Sequence, residues 1–456
     1  MPAAPFSKVL VANRGEIAVR VMRTLADLGI ATVAVHSEVE KDAAHVQAAD
    51  EAVCLGGAPV ADSYLRIDRV VEAALETGAE AVHPGYGLLS ENPEFVEAVE
   101  AAGLVFIGPP AAAMRAMGSK VQARRTMEAA GVPVVPGTLE PVTSPEQAAA
   151  LADDIGYPIA VKASGAGGGK GFRVAQTPDE LPAALEGASG EGERFFGDPT
   201  VYLERYLENP RHVEVQVLAD AHGGVVHLFE RDCSIQRRHQ KLIEEAPAPQ
   251  VDPELRERIG RIAVEAARAV GYRSAGTVEG LLVGEEYFFL EMNTRIQVEH
   301  CVTEMVTGVD LVAEQVRIAA GEPLRFAQDD LTLAGHAIEC RINAEDAAKR
   351  FRPAPGQIGA YVEPRGEHVR VDSGVRAGDP VLPYYDPMIA KLVVWGEDRQ
   401  QATARMLEAL GEYRIEGLST LLPFHRAILS TEQWAAGETC RDLVEDRDWL
   451  KSTAGA

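Results

Sequence analysis

Glu291, Asn293, Arg295, Gln297 and Glu299 occupy every second position between Glu291 and His300, and the residues between them (Met292, Thr294, Ile296, Val298) are mostly apolar. A β-strand has a side-chain period of two, so an extended reading backs one face onto a core and aims five polar groups into one space. Those groups are complementary in chemistry: oxygen donors for a hard cation, an arginine and an amide for an anion, and a further carboxylate able to take a proton. Just upstream, Gly276–Val283 and Tyr287–Glu291 read as strands joined by Gly284-Glu285-Glu286, an ordinary hairpin loop. That register sets Glu279 opposite Glu291. Directly opposed residues have Cβ atoms roughly 4.5–5.5 Å apart, and like charges there repel. A divalent cation shared by the two carboxylates, with Asn293 on the same face, resolves the conflict. Two solvated glutamates on an exposed face are the alternative.

Three further stretches carry chemistry. Lys162-Ala163-Ser164-Gly165-Ala166-Gly167-Gly168-Gly169-Lys170-Gly171 suits a phosphate, because glycines let backbone N–H groups approach an anion and lysines flank the loop. It is not a Walker A loop, since Gly171 follows Lys170 where Ser or Thr is required. Arg237-Arg238-His239-Gln240-Lys241 concentrates cations in an acidic chain; Lys241 or His239 suits a phosphate or bicarbonate, and Glu244-Glu245 are near enough in sequence to orient the cations. A solvated loop and a solvated basic face are the respective alternatives. His83-Pro84-Gly85-Tyr86-Gly87 and Asn13-Arg14-Gly15-Glu16 each follow an apolar run, and in open α/β sheets ligands gather beyond the carboxyl ends of strands.

The elements that must position these residues follow from the pattern. Val9-Leu10-Val11-Ala12, Ala31–Val35, Ala81-Val82 and Leu104–Ile107 alternate with helical stretches at Gly15–Leu28, Asp62–Glu76 and Pro93–Ala102, which indicates a parallel, doubly wound sheet. Gly108-Pro109-Pro110 marks a boundary. A second α/β region follows, with helices at Ser119–Ala130 and Leu255–Val270; from Gly335 the chain turns to short strands and many turns, with a helix at Arg399–Leu410. At 456 residues and 46% hydrophobic content the chain suits two to four globular domains. Its net charge of −25 disfavours nucleic acid as a partner and requires any anion site to be built locally from clustered cations. Five cysteines without CxxC spacing suggest neither a disulfide framework nor zinc, and no run approaches membrane-spanning length; a soluble cytoplasmic protein is expected.

Taken in order, Asn13–Ala18, His83–Gly87, the loop after Lys162, Arg237–Lys241 and Glu291–Glu299 resemble the biotin carboxylases, the ATP-grasp subunits or domains of biotin-dependent carboxylases, over nearly the whole chain. The resemblance implies a mixed α/β and α+β fold: a Rossmann-like N-terminal domain (residues 1–117), an ATP-grasp domain (118–333) with a mobile glycine-rich lid at about 133–205, a β-rich C-terminal domain (334–446) and a tail (447–456). It also implies ATP with Mg²⁺ or Mn²⁺, and biotin carried on a partner protein. Lys120, Lys162, Gly168 and Gly169 would hold phosphates. Glu204, Arg205, Tyr206 and Leu207 would form the adenine hinge, with His212 and Gln236 near the ribose, and Leu281 and His239 would also bind ATP. Glu279, Glu291 and Asn293 match the metal ligands. Arg295, Gln297 and Val298 match the bicarbonate cradle, Glu299 the general base, and Lys241 a cation on the transferring phosphoryl group. Arg341, with Tyr86 nearby, matches the arginine that meets the biotin ureido oxygen.

Three positions depart from the family pattern: Leu88 and Gly280, where phenylalanine is usual, and Cys301, where proline is usual. Loss of an aromatic ring at Gly280 either enlarges the pocket beneath the nucleotide or is filled by a bulkier neighbour. No Met-Lys dipeptide occurs in the chain. A biotin carboxyl carrier protein and a carboxyltransferase are therefore expected as partners, and a homodimer is expected because relatives are often dimers. An ATP-grasp ligase joining a carboxylate to an amine, and a non-catalytic scaffold subunit, are the competing readings.

Overall fold

The computed structural model describes residues 4–142, 144–167, 170–196 and 198–453. They form two compact units, Met1–Gly118 with Val213–Glu279 and Met292–Ala456, and Ser119–His212 with Gly280–Glu291.

In the first unit, β1 (Lys8–Val11), β2 (Ala31–Ser37), β3 (Glu51–Gly56), β4 (Ala81–His83) and β5 (Val105–Phe106) form a parallel sheet in the order β3-β2-β1-β4-β5. Val9, Leu10 and Val11 are all fully buried, as an apolar run covered on both faces requires. Val9 and Val11 pack with Ile17, Val21 and Leu25 of the helix Gly15–Asp27, whereas Leu10 packs with Val70 and Phe95 on the opposite face. The two turns noted in the sequence meet: Asn13 Nδ2 donates to the carbonyls of Pro84 (2.7 Å) and Tyr86 (2.8 Å). Gly85 has φ +61°, and a Cβ there would lie 2.9 Å from Asn13 Nδ2. The expected helix from Asp62 begins instead at Ile67, with Val60–Asp62 as a separate single turn.

In the second unit, β6 (Ile159–Gly167), β7 (Lys170–Ala175) and β8 (Val201–Arg205) form an antiparallel sheet in the order β7-β6-β8. Ile159, Val161, Val201 and Leu203 pack with Ala148 and Ala152 of the helix Pro145–Ile155 and with Leu181, Ala184 and Ala188 of the helix Leu181–Phe196. The phosphate-loop stretch is thus a strand hairpin as far as it is described. Gly168, Gly169 and the side chain of Lys120 lie outside the described residues.

A long sheet contains β9 (Arg211–Ala219), β10 (Val225–Arg237), β11 (Gln240–Ala246), β12 (Ser274–Val283), β13 (Glu286–Asn293) and β14 (His336–Asn343), followed by the strands Met388–Gly396 and Val369–Ser373. Its order begins β13-β12-β9-β10-β11-β14 and ends on those two strands. The β12–β13 connection is Gly284-Glu285, one residue shorter than expected, with Gly284 at φ +57°.

The extended reading of Glu291–His300 holds only to Asn293. Beyond it the chain turns into the helix His300–Thr307. The backbone N–H of Thr294 donates to Glu91 Oε1 (2.9 Å) and Arg295 Nε to Glu91 Oε2 (2.9 Å), contacts with a distant loop that hydropathy alternation cannot reveal. After Gly335 the structure has the expected short strands, and also helices at Leu422–Leu429, Glu432–Ala435, Arg441–Glu445 and Arg447–Ser452 that the sequence reading missed.

Candidate active site

Lys241, near the start of β11, lies at the centre of the first unit's polar cluster. Its ammonium donates to Glu214 Oε2 (2.5 Å), Glu279 Oε1 (2.8 Å) and Glu299 Oε1 (2.6 Å). Burial alone lowers the affinity of Lys241 for its proton, but the charges of Glu214, Glu299 and Glu279 outweigh it and keep the ammonium charged. Burial likewise pushes Glu299 up, yet Lys241, Arg341 and Arg231 hold it below the ordinary carboxylate range. Glu299 is therefore an ionised base with one oxygen on Lys241 and the other accepting from Arg341 Nη2 at 2.9 Å.

Asn293, Arg295 and Gln297 meet around Glu279 through a turn and not along the expected strand. Asn293 Nδ2 donates to Glu279 Oε1 (2.6 Å), and Gln297 Nε2 donates to the same oxygen. Arg295 Nη2 reaches Asn293 Oδ1 (2.9 Å). Glu291 stands two positions before Asn293 on β13. Two carboxylates and an amide oxygen are hard donors of the type Mg²⁺ takes, so Glu279, Glu291 and Asn293 fit a divalent cation in chemistry.

Several expectations are corrected. Glu244 and Glu245 do not orient the basic run: Glu244 Oε1 accepts from Arg341 Nε (2.6 Å), and Glu245 accepts from Arg399 Nε (2.6 Å) and contacts His336 Nε2 (2.8 Å). Arg238 and His239 form the exposed tip of the β10–β11 hairpin, both at positive φ. Gln236 pairs with Lys241 across that hairpin and donates to the Cys233 carbonyl (2.6 Å).

Two central cations escaped sequence reading. Arg231, fully buried in β10, donates to Glu214 Oε1 (2.7 Å) and Gln297 Oε1 (2.7 Å). Lys391, also fully buried, donates to the Val298 carbonyl (2.8 Å) and lies 3.3 Å from Glu16 Oε2. Neither partner set was legible locally: Arg231 stands between Glu230 and Asp232, and the lone charge of the strand Met388–Gly396 does not show which groups it meets.

A cavity of about 430 Å³ opens beside this cluster, lined among others by Arg341, Tyr86, Val298, Leu88, Gln240 and Tyr385. That volume lies in the range of small-molecule sites. The Tyr86 hydroxyl donates to Glu16, which fixes the ring on the wall. Leu88, at φ 47°, supplies a smaller apolar wall than the phenylalanine of the family pattern.

The second unit gathers the nucleotide candidates. Lys162 on β6 pairs with Glu204 on β8, which also faces Arg124 Nη1 (3.4 Å). Arg205 N–H donates to the Pro136 carbonyl and Tyr206 N–H to the Pro158 carbonyl, both at 2.8 Å, so the hinge backbone is held from two sides. Leu207, Val135 and Phe288 form a small apolar cluster with Leu281 and Val283, a suitable seat for a flat base. His212 is the second residue of β9. The question at Gly280 is settled: a Cβ there would overlap the ring of Tyr287, which is itself buried, so the neighbouring strand fills the space.

Cys301 lies in the first turn of the helix after Glu299, and its buried thiol donates to Asp372 Oδ2 (3.2 Å). Among the described residues no helix is long and apolar enough to cross a membrane.

Comparison with known proteins agrees along the whole chain. Residues 5–114 match the biotin carboxylase N-terminal domain, 119–327 the ATP-binding domain of the carbamoyl-phosphate synthase L chain, and 339–446 the biotin carboxylase C-terminal domain. A pyruvate carboxylase subunit from Methanothermobacter thermautotrophicus is 55% identical over 441 residues, covering 97% of this chain and 90% of that one. A biotin carboxylase of Nostoc is 52% identical over 442 residues, covering 97% and 99%. The bicarbonate-bound biotin carboxylase domain of a thermophilic 2-oxoglutarate carboxylase superposes with a TM-score of 0.93 at 47% identity, covering 97% and 99%. The corresponding domain from Hydrogenobacter thermophilus, a dimer solved with MgADP, ADP and bicarbonate, gives 0.88 at 48% identity and covers 98% of each chain.

Proposed function

The chain belongs to the biotin carboxylase family, and from that premise we propose how its residues divide the work of the first half-reaction of a biotin-dependent carboxylase. ATP and bicarbonate give ADP and carboxyphosphate, and the carbon then passes to biotin on a carrier protein. The observation that carries this reading is the joining of Glu299 to both Lys241 and Arg341 beside a ligand-sized cavity.

Bicarbonate is a weak nucleophile. Glu299, already ionised, takes its proton, and Arg295 with the Gln297 amide and the Val298 backbone holds the anion in line with the γ-phosphate. Lys241 compensates charge on the transferring phosphoryl group, an electrostatic role that exclusion of water strengthens. Lys120, Lys162 and the Gly168–Gly169 backbone bind phosphates, and the Glu204–Leu207 segment with Leu281 seats the base. Gln236 and His212 would serve the ribose, and His239 would add to ATP binding. Glu279, Glu291 and Asn293 would hold the Mg²⁺ or Mn²⁺ that accompanies ATP, and that ion would supply charge compensation for the phosphates. Arg341 stabilises the ureido oxygen as it gains negative charge, and Tyr86 forms the wall against the ring.

The biotin carboxyl carrier protein and the carboxyltransferase are separate partners in this reading, and the chain works as a homodimer in the cytoplasm. Bicarbonate-dependent ADP release, measured with free biotin and with a biotinyl carrier, tests it. ATP cleavage that ignores bicarbonate and responds to an amine would replace it with an amide-forming ATP-grasp ligase.

A further inference from the structure

Glu244 and Glu339 are Cα partners across the antiparallel pair β11–β14, and both are fully buried. Directly opposed carboxylates repel when both are ionised, and removal from water makes each charge costlier. Only one of their four oxygens has a hydrogen-bond partner. Glu244 Oε1 accepts from Arg341 Nε, whereas Glu244 Oε2 and both oxygens of Glu339 meet no donor among the described residues.

We propose that Glu244 and Glu339 carry one negative charge between them behind Arg341: Glu244 is the ionised residue that positions the arginine for biotin, and Glu339 remains a neutral acid. This rests on the assignment of the cavity to biotin and deepens it, by making the arginine's posture depend on a second carboxylate besides Glu299.

The charges of Lys391 and Arg341 act on Glu339, but no cation among the described residues bonds to it, and burial with the charges of Glu244 and Glu299 outweighs them. Arg341, two residues on along β14, is shared by Glu244 and Glu299. Lys241, on the same strand as Glu244, is taken by Glu214, Glu279 and Glu299. Lys391, facing from the strand Met388–Gly396, is engaged with Glu16 and the Val298 carbonyl. Burial pushes the thiols of Cys233 and Cys340 up, the charge of Glu244 adding to it, so both stay neutral beside the pair. Burial raises Glu339 well above the carboxylate range, and it raises Glu244 to about 7 against the pull of Arg341. Glu299, by contrast, sits below the ordinary range. A loss of activity on the acid side near neutrality therefore belongs to Glu244 and not to the base.

Protonating Glu244 releases Arg341 Nε and leaves the guanidinium on Glu299 alone. Biotin carboxylation then weakens while bicarbonate-dependent ATP cleavage, which uses Lys241 and Glu299, continues. The test follows both rates against pH in the wild type, Glu244→Gln, Glu244→Asp and Glu339→Gln, with thermal unfolding checked for each. Expected in the wild type is a biotin-dependent rate that rises through about pH 7, with no such step in ATP cleavage without biotin. Glu244→Gln should lower biotin-dependent kcat by about tenfold or more and abolish the step; Glu244→Asp should restore it. Glu339→Gln, which fixes the neutral form, should keep it. A Glu244→Gln enzyme with the wild-type profile would overturn the proposal, as would a Glu339→Gln enzyme without the step. If Glu244→Gln does not fold, Glu244→Asp and Glu339→Gln decide by the same criteria. A wild type without any bicarbonate-dependent ATP cleavage would instead remove the carboxylase reading itself.

Discussion

The Lys241 ammonium stands 2.6 Å from Glu299 Oε1 and the Arg341 guanidinium 2.9 Å from Glu299 Oε2, so the base is held at both oxygens by cations with separate duties. In the proposed reaction one would serve the phosphoryl group and the other biotin. Replacing Glu299 by Gln keeps the shape and removes the proton acceptor. The expected outcome is a fall of about 10²–10⁴-fold in bicarbonate-dependent ADP release, with the fold intact by circular dichroism. Unchanged turnover would remove Glu299 from the role of base.

Lys241→Met should be severe for stability as well as activity. The lysine compensates three carboxylates whose side chains are 0–5% exposed. Removing one partner of a buried charge group typically costs about 3–5 kcal/mol. Urea unfolding at neutral pH measures it. A cost below about 1 kcal/mol, the range of surface pairs, would show the cluster to be well solvated.

Gly280→Phe, which restores the family's usual residue, should destabilise this protein because the Tyr287 ring occupies the space. Overpacking of this kind costs about 1–3 kcal/mol. The double variant with Tyr287→Ala should recover much of the loss, and the coupling read from thermal unfolding reports the contact. Additive effects would separate the two positions.

Cys301→Pro should be tolerated by the backbone, since the first helical turn needs no intrahelical N–H donor there. The thiol bond to Asp372 is lost, but Arg370 and Arg23 still hold that carboxylate. A change of unfolding free energy within about 1 kcal/mol is expected. A larger loss would give the thiol a greater structural share.

Stability should fall as the solution is acidified below neutrality. Burial lowers His83 and His425 from 6.5 to about 4. The unfolded chain therefore protonates first, so stability present above pH 6.5 is lost progressively as pH drops toward about 4. Urea unfolding at pH 7.5 and 5.5 reads this slope, and His425→Gln should flatten it. A slope of the opposite sign would contradict the buried, neutral assignment.

The residue types of the site were legible in sequence because strand alternation, glycine spacing and local charge are short-range properties. Glu279, Asn293, Gln297 and Glu299 were read as converging, and Lys241 as a candidate anion ligand, before any contact was known. The partners of Lys241 were not legible: Glu214 lies on β9, and no local pattern couples it to β11. Arg231, Lys391 and the Glu244–Glu339 pair were invisible for the same reason, since a buried charge is justified only by neighbours brought together across strands. Local periodicity and turn chemistry thus determined the doubly wound N-terminal sheet, the hairpin and the identity of the chemistry-bearing groups. Tertiary structure alone decided where β13 stops, which carboxylate each cation meets and that Tyr287 fills the space beside Gly280, because strand order and side-chain volume are settled between segments far apart in the chain.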